Sequence, residues 1–411
     1  MINSGDTAWV LTASALVLLM TIPGLAFFYG GLVRRKNILS ILMQCFIIVC
    51  VISLQWMLFG YSLAFGPSFH GIIGNLDWIG LSGVGALPNP DYSKTIPHSV
   101  FMIFQAMFAI ITPALIIGAY AERVKFSAFL LFTILWATFV YDPLAHWVWN
   151  PGGWLRGMGA LDFAGGIVVH VSSGISALVL AILLGKRIGY NHRPIRPHNL
   201  PFTVLGAALL WFGWFGFNAG SALAADGLAG NAMVATHIAT AAAGLAWALV
   251  EWWHNGTPTI LGVVTGAVAG LVAITPACGF VNPMNAMFIG IMVAVICYLA
   301  VAVIKSKLGY DDSLDAFGVH GVGGTFGTIA TGIFAQKAIN PAGADGLLFG
   351  NVHQFLVQGL LVLVAVVFAV VMTFIIFKIV DAVLGMRVEE KNEIIGLDLT
   401  QQSEAAYTVI E

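Results

Sequence analysis

The chain has 411 residues, of which 59% are hydrophobic and only 9% charged, and its mean hydropathy is +0.93. Soluble domains carry about 25% charged residues, so this composition excludes an ordinary soluble protein and predicts an integral membrane protein. The formal net charge of −2 gives no basis for binding nucleic acid. The apolar segments follow one another almost without interruption, which predicts one membrane domain, residues 1–380, and a polar cytoplasmic tail, residues 381–411.

Apolar segments of about 20 residues are long enough to cross a bilayer as helices. Eleven such segments are present, so we predict an all-α integral membrane protein with eleven transmembrane helices. The predicted spans are 8–33, 40–65, 98–121, 127–149, 162–185, 200–221, 231–253, 259–277, 285–304, 314–335 and 351–380. The first run ends in Arg34, Arg35 and Lys36 without a small-residue cleavage site, so we expect it to remain a span and not a removed signal peptide.

Positive charges are distributed unequally between the two sets of loops. If the N-terminus is outside, the cytoplasmic loops and tail hold fourteen Lys and Arg residues, and the outer loops hold three. The inner set is Arg34, Arg35, Lys36, Arg123, Lys125, Lys186, Arg187, Arg193, Arg196, Lys305, Lys307, Lys378, Arg387 and Lys391, and the outer set is Lys94, Arg156 and Lys337. Cytoplasmic loops carry an excess of basic residues, so we predict an N-outside, C-inside orientation.

Two histidines lie within apolar spans, each a few residues after an aspartate. Asp162 precedes His170 in LDFAGGIVVH, and Asp315 precedes His320 in LDAFGVH. An ionisable side chain inside a span is costly, so we interpret both histidines as functional. The first motif enters from outside and the second from inside. Similar motifs of opposite polarity predict an inverted repeat of helices 1–5 and 6–10, with helix 11 flanking it.

The depths of these histidines follow from the helical rise. His170 lies about 12 Å beyond Asp162, and His320 lies about 7.5 Å beyond Asp315. In a hydrocarbon core about 30 Å thick, these depths leave a gap of about 10 Å between the histidines. We therefore expect the two side chains in the same region but not in contact, unless helix tilt or sunken vestibules close the gap. Asp162 itself is better explained as a helix N-cap than as a ligand.

Aromatic and hydroxyl side chains near the span ends form a second group. Phe104 and Phe108 are four residues apart, as are Phe217 and Ser221, so each pair shares one helix face. Taken alone, Phe104 and Phe108 fit core packing, and Trp149 fits an interfacial tryptophan belt. Together, these side chains could form a site for a small cation, because aromatic faces attract cations and a hydroxyl accepts a hydrogen bond.

The cysteines give no indication of a metal site or of redox chemistry. All four lie in apolar segments without metal-ligand spacing, so we interpret them as packing residues. They are Cys45, Cys50, Cys278 and Cys297. A membrane enzyme that uses His170 and His320 as metal ligands is an alternative, but no third ligand lies at a suitable spacing. We therefore expect neither a cofactor nor an enzymatic reaction.

Seven stretches, in order along nearly the whole chain, resemble the Amt/Mep/Rh family of ammonium transporters, and its bacterial-type Amt branch in particular. They are TIPGLAFFYGGLVRRKN at 21–37, GAYAERVKFSA at 118–128, LDFAGGIVVH at 161–170, RPHNLP at 196–201, GWFGFNAGSA at 213–222, TPACGF at 275–280 and DAFGVHGVGG at 315–324. The resemblance implies a homotrimer of eleven-helix subunits in the cell membrane (inner or plasma membrane). It also implies one narrow apolar pore per subunit for ammonium or ammonia, with methylammonium as an analogue.

The resemblance also implies roles for the residues at the outer mouth. Phe108, Trp149 and Ser221 match the outer ammonium-binding site of the family, with Phe104 beside it. Phe108 and Phe217 match the stacked phenylalanine gate of the pore.

Deeper in the chain, His170 and His320 match the paired histidines that line the pore. Asp162 matches an aspartate near the outer site that the family needs for structure and transport, and that is not a direct ligand. The tail departs from the family pattern, because Ile394 and Ile395 stand where charged residues are expected before the GLD turn. This departure concerns how the tail docks on a neighbouring subunit.

The resulting interpretation is a transporter that recruits ammonium at the outer aromatic site, deprotonates it and conducts ammonia past the paired histidines. The resemblance, the polar tail and the basic loop at 186–196 also predict a trimeric PII-type nitrogen-signalling protein as a partner at the cytoplasmic face. The main alternative is an ammonium sensor with little flux that signals through its tail. The tail contains no recognisable signalling domain, so signalling would need a partner.

Overall fold

A computed structural model of the chain describes residues 1–190, 192 and 195–407, and its regular structure is almost entirely helical. Arg193, which the sequence analysis placed in a cytoplasmic loop, and tail residues 408–411 lie outside the described residues. In the described part, the long helical segments follow the order of the predicted spans. They are α1 Ser4–Leu32, α2 Arg35–Phe65, α3 His98–Tyr120, α4 126–149, α5 Gly166–Leu184, α6 Leu200–Gly220, α7 Gly227–Asn255, α8 Ile260–Ile274, α9 Pro283–Leu308, α10 317–334 and α11 Val352–Leu384.

The all-helical prediction is confirmed, with many apolar helices of membrane-spanning length. Among the described residues, nine helices are long and apolar enough to cross a membrane. Helix α8 is apolar but has only 15 residues. Helices α5 and α10 begin at residues 166 and 317, several residues inside the predicted spans 162–185 and 314–335. Both therefore begin deeper than the sequence pattern indicated.

Small elements fill the connections. Between α2 and α3, strands β1 (Ser68–Phe69) and β2 (Ile73–Gly74) form an antiparallel hairpin in which Ser68 pairs with Gly74. Short 3₁₀ turns cover Ile79–Leu81 and Leu347–Phe349. Within the described ranges the chain thus has almost no sheet.

The tail follows α11 and returns to the loops of the same chain. Helix α11 runs past residue 380 to Leu384, and a short helix, α12, covers Glu390–Ile395. The backbone N–H of Val388 donates to the carbonyl oxygen of Arg123 at 3.0 Å. The N–H of Leu397 donates to the side chain of Asn37 at 2.8 Å. These contacts hold the tail against the start of α2 and the loop that follows α3.

Close packing of α5 against α10 brings the predicted functional histidines together. The two helices approach so closely at Gly174 and Gly324 that neither position has room for a side chain. A Cβ added to Gly174 would lie 2.0 Å from the backbone nitrogen of Gly321, and one added to Gly324 would lie 2.9 Å from the Cβ of His170. Small residues allow helix backbones to approach this closely within a membrane protein. Helix α11 packs against α4, α5 and α10.

Candidate functional site

A cavity of about 370 Å³, which we call the outer cavity, contains three of the side chains that the sequence predicted for a cation site. Its lining includes Phe108, Trp149 and Ser221. Ser221 directly follows α6, and its hydroxyl donates to the carbonyl oxygen of Phe217 at 2.8 Å. The hydroxyl oxygen keeps lone pairs for an N–H donor. The cavity therefore brings aromatic faces and a hydrogen-bond acceptor together in one pocket.

Two phenylalanine rings separate this cavity from the interior. The ring centroids of Phe108 and Phe217 are 4.3 Å apart, with an interplanar angle of 32°. Phe108 lines the outer cavity, and Phe217 lines the narrow space beyond it. Trp149 meets Phe108 edge-on at 5.8 Å. Phe104 is fully buried, and its ring centroid lies 5.0 Å from that of Phe108. Phe104 contacts the ring of Phe108 but does not line the outer cavity.

Asp162 caps α5. Its carboxylate accepts hydrogen bonds from four consecutive backbone N–H groups, those of residues 165–168, at 2.6–3.2 Å. These amides have no partner inside the helix, and a carboxylate at a helix N-terminus also stabilises the helix dipole. This geometry agrees with the capping role that the sequence favoured over a ligand role. The carbonyl oxygen of Asp162 accepts the indole N–H of Trp149 at 2.9 Å, which ties the cap to the outer cavity.

The counterpart of Asp162 in the second half is Asp312. Its carboxylate accepts the backbone N–H groups of Ala316 and Phe317 at 3.1 and 2.8 Å. Asp312 stands eight residues before His320, which is the separation found between Asp162 and its own histidine in the first half. The two halves therefore share one local arrangement, an aspartate cap and a histidine on the first turns of the capped helix.

The predicted role of Asp315 in this repeat is wrong. Asp315 has a positive φ of 60° and forms an ion pair with Lys305. Two aspartates precede His320, and only the folded backbone determines which of them reaches the helix start. Counting from Asp315 placed His320 too shallow. Counting eight residues from Asp312 gives each histidine a depth of about 12 Å, so the predicted gap of about 10 Å narrows to about 6 Å, and the deeper start of α5 and α10 closes the remainder.

The imidazole rings of His170 and His320 are in contact. Their Nδ1 atoms are 3.3 Å apart, and the rings are nearly parallel, with centroids 5.3 Å apart. A hydrogen bond between two Nδ1 atoms needs a proton on one and a lone pair on the other, so two neutral rings must hold complementary tautomers. The Nε2 atom of His170 is buried and has no hydrogen-bond partner among the described residues. It is therefore able to form a hydrogen bond with a small molecule in the adjoining gap.

The space around the histidines is narrow and mostly apolar. Trp214 stacks over His170 with ring centroids 5.4 Å apart, and its indole N–H donates to the hydroxyl of Thr275 at 2.8 Å. The gap beside Phe217, Trp214 and the two histidines measures about 10 Å³. A volume of this size holds at most one water molecule. A cation that kept its hydration shell would not fit.

A second, larger cavity lies on the far side of the histidines. This inner cavity has a volume of about 690 Å³, and its lining includes Tyr190, Glu251, Val319 and His320. His320 lines both the narrow gap and the inner cavity. The outer cavity, the phenylalanine pair, the histidine pair and the inner cavity thus follow one another through the protein.

Buried charges outside the spans support the inner end of this path. Glu122 pairs with Arg34 and with Arg187 at 3.0 Å each, and Asp311 pairs with Arg187 at 2.8 Å. Burial by itself would raise the pKa of both carboxyl groups, but the neighbouring arginines outweigh it, so the pKa of Glu122 and the pKa of Asp311 lie below their ordinary values. Both groups are therefore ionised at neutral pH. Arg187 pairs with both carboxylates and so fixes the position of Asp311. Asp311 directly precedes Asp312, the residue that caps α10.

Sequence reasoning missed three residues at the site: Asp312, Trp214 and Gln358. The equal spacing from aspartate to histidine in the two halves would have identified Asp312. A polar side chain inside the last apolar run was a signal for Gln358, whose side chain accepts the N–H of Leu161 at 2.9 Å. Trp214 lies in an aromatic-rich span and gave no distinguishing signal. Within the described ranges, no group of three or more His, Cys, Asp or Glu side chains is placed to hold a metal ion.

Comparison with known sequences gives matches along nearly the whole chain. The Ammonium Transporter Family matches residues 8–407. The chain is 55% identical over 403 residues to an ammonium transporter of Bacillus subtilis (strain 168), covering 98% of each sequence. It is 48% identical over 407 residues to the ammonium transporter Amt1 of Archaeoglobus fulgidus, covering 99% of this chain and all of the relative.

Solved structures of similar proteins have the same fold. The chain superposes on crystalline Saccharomyces cerevisiae Mep2 with a TM-score of 0.89 and 37% identity, covering 94% of this chain and 88% of that one. A protein described as Sensor Amt Protein gives a TM-score of 0.89 at 31% identity, covering 97% of this chain and 98% of that one. The series of cavities through the protein, the sequence matches and the superpositions agree: the chain belongs to the Ammonium Transporter Family.

Proposed function

We propose that the chain recruits ammonium at the outer cavity, removes one proton from it and conducts ammonia past His170 and His320 to the inner cavity. One observation carries this proposal. An aromatic cavity with a hydroxyl acceptor is followed by a closed phenylalanine pair and by a gap of about 10 Å³ beside two hydrogen-bonded imidazoles. This arrangement favours a cation at the mouth and a small neutral molecule beyond it.

Recruitment depends on replacing part of the hydration shell of the ion. The rings of Phe108 and Trp149 attract a cation, and the Ser221 hydroxyl accepts an N–H hydrogen bond. Phe104 supports Phe108 from behind. A charged ion would then face the apolar stretch beyond Phe108 and Phe217, where desolvation costs many kcal/mol. Ammonia carries no charge and avoids most of this cost.

The proton leaves before the constriction. One N–H bond of ammonium breaks heterolytically, water in the outer cavity takes the proton, and neutral ammonia moves past the phenylalanine rings. The neutral imidazoles of His170 and His320 give ammonia polar contacts without a fixed charge, and they can relay a proton. Asp162 acts through the α5 cap and not as a ligand.

The membrane arrangement forms part of the proposal. All eleven helical segments cross the cell membrane, inner or plasma, and helices 1–5 and 6–10 form an inverted repeat with helix 11 flanking. The equal aspartate-to-histidine spacing in the two halves supports the repeat. The charge bias of the loops supports an N-outside, C-inside orientation. We further propose a homotrimer embedded in lipid, with residues 1–380 as the transport domain and 381–411 as a regulatory tail.

A PII-type signalling protein is the partner that we propose at the cytoplasmic face. The basic loop at 186–196 and the polar tail support this proposal, and residues 191, 193 and 194 of that loop lie outside the described residues. Co-purification from cells given a sudden ammonium supply tests it. Failure to associate under every nitrogen and nucleotide condition would rule out this part of the proposal.

Transport itself is tested by uptake of labelled methylammonium into proteoliposomes that contain the full chain. Saturable uptake that unlabelled ammonium inhibits is expected, and empty liposomes serve as the control. Current recorded on a supported bilayer during an ammonium pulse then measures whether the released proton also crosses. Absence of saturable uptake by folded protein would contradict the proposal.

The second candidate function is an ammonium sensor with little flux. The similarity to the structure described as Sensor Amt Protein supports this second function. A sensor would bind ammonium in the outer cavity and change the docking of its tail, without saturable uptake. The same proteoliposomes, examined for both binding and uptake, separate the two functions.

A further inference from the structure

Helix α11 carries buried polar side chains in an otherwise apolar sequence. Gln354, Gln358 and Thr373 all point into the protein, and Gln358 and Thr373 are fully inaccessible. A polar group at membrane depth is costly unless protein atoms satisfy it, so each such residue is a candidate for a specific role. The position of α11 against α4, α5 and α10 gives these side chains access to the helices that form the pore.

The carboxamide of Gln358 makes a reciprocal pair with the backbone of Leu161. Its Oε1 accepts the N–H of Leu161 at 2.9 Å, and its Nε2 donates to the carbonyl oxygen of Leu161 at 2.7 Å. Nε2 also donates to the carbonyl oxygen of Thr328 at 3.3 Å, and Oε1 also accepts from Gln354 at 3.3 Å. All four hydrogen-bonding positions of the amide are therefore used.

These contacts join both halves of the pore. Leu161 immediately precedes Asp162, which caps the helix of His170, and Thr328 lies on α10, the helix of His320. The segment before α5 is irregular, and irregular backbone within a membrane protein is stable only where protein atoms satisfy its polar groups. Gln358 supplies those atoms at Leu161. Gln354 does the same one turn away, where its Nε2 donates to the carbonyl oxygen of Gly159 at 3.0 Å.

We propose that Gln358 is a positioning residue for the outer cavity. It fixes Leu161, and through Leu161 it fixes Asp162, whose carbonyl oxygen holds the indole of Trp149. The inference rests on the proposed transport function, because it assigns Gln358 a part in how well the outer cavity takes up the ion. The proposal gives α11 a role in ion recruitment, in addition to its packing against α4, α5 and α10.

Gln358→Met tests the proposal, because methionine keeps the length of the side chain and removes every polar contact. Thr373→Val is the matched control. Thr373 is equally buried on the same helix, but its hydroxyl donates to Ser176 at 2.7 Å, away from the loop at Leu161. Initial rates of methylammonium uptake are measured against concentration in proteoliposomes that contain the full chain.

In Gln358→Met, the half-saturation concentration is expected to rise about tenfold, equivalent to about 1.4 kcal/mol, while the maximal rate changes by less than about threefold. In Thr373→Val, the half-saturation concentration is expected to stay unchanged. A merely structural role would reduce the amount of folded protein, which lowers the maximal rate and leaves half-saturation where it was. An unchanged half-saturation concentration in folded Gln358→Met would overturn the inference.

The wild-type protein provides a second measurement that does not depend on a variant folding. Hydrogen exchange followed by mass spectrometry should show slow exchange in residues 159–168 and fast exchange in the exposed loop around Gly83. Equally fast exchange in both segments would show that Gln358 does not hold the loop. Absence of wild-type uptake would contradict the proposed transport function instead, so the two failures are distinguishable.

Discussion

Asp162 and Asp312 stand in the same relationship to the two helices that carry His170 and His320. Each is eight residues before a histidine, and each accepts backbone N–H groups at the start of the helix that carries it. This shared cap places each histidine about 12 Å beyond its own aspartate, and the Nδ1 atoms of the two imidazoles lie 3.3 Å apart. The contact between the histidines thus depends on two carboxylates that neither imidazole touches.

Replacing Asp162 by Ala should therefore abolish transport and destabilise the protein. Four amides lose their acceptor, and each buried donor without a partner costs about 1–3 kcal/mol, so we expect a loss of at least about 4 kcal/mol. Thermal unfolding of the purified protein measures it. The control is Asp315→Asn, which removes a partly exposed ion pair and should change stability by less than about 1 kcal/mol. Similar unfolding temperatures for the two variants would contradict the capping role.

Trp149→Leu and Ser221→Ala should weaken ion recruitment without preventing folding. The indole face contributes about 0.5–2 kcal/mol to cation binding, so loss of Trp149 should raise the half-saturation concentration about 2- to 30-fold. Ser221→Ala removes an acceptor and should have a smaller effect in the same direction. Uptake measured against concentration provides the test. If a folded double variant transports as the wild type does, the site of recruitment lies elsewhere.

Potassium selectivity tests the deprotonation step. Potassium is close to ammonium in size but has no proton to release, so it would have to cross the apolar section charged and dehydrated, at a cost of many kcal/mol. The wild-type pore should exclude potassium, and His170→Asp should admit it, because a fixed carboxylate favours a hydrated, cation-holding pore. Ammonium and potassium fluxes are measured side by side in both proteins. Comparable wild-type fluxes of the two ions would indicate a simple cation channel.

The ion pairs of Glu122 should make the protein sensitive to acid. The pKa of Glu122 in the folded protein lies below its ordinary value of 4.5. The stabilisation is therefore fully present above about pH 4.5 and is lost as the pH falls through the lowered pKa. Glu122→Gln should reduce stability by about 3 kcal/mol at neutral pH, because it removes the buried charge that pairs with both Arg34 and Arg187. Unfolding temperatures of the wild type and the variant should converge in acid, and a constant difference at every pH would argue against this role.

Much of the protein followed from the sequence by itself. The near-continuous apolar segments determined an all-helical membrane protein, because a lipid environment requires helices whose backbone polar groups are satisfied internally. The intramembrane positions of His170 and His320 identified them as candidates, because ionisable side chains are costly there. Pairs four residues apart predicted the shared faces of Phe104 with Phe108 and of Phe217 with Ser221, because helix periodicity is a local property.

The tertiary structure decided what depends on long-range contacts. It identified Asp312 instead of Asp315 as the second cap, because either aspartate could have reached a helix start and only the backbone path distinguishes them. It brought the histidines into contact, because both helices begin several residues later than the apolar pattern indicates. It also assigned Gln358 to Leu161, 197 residues away along the chain. Hydrophobic periodicity reports which face of a helix is buried, whereas the partner of a buried polar group is fixed only when distant segments pack together.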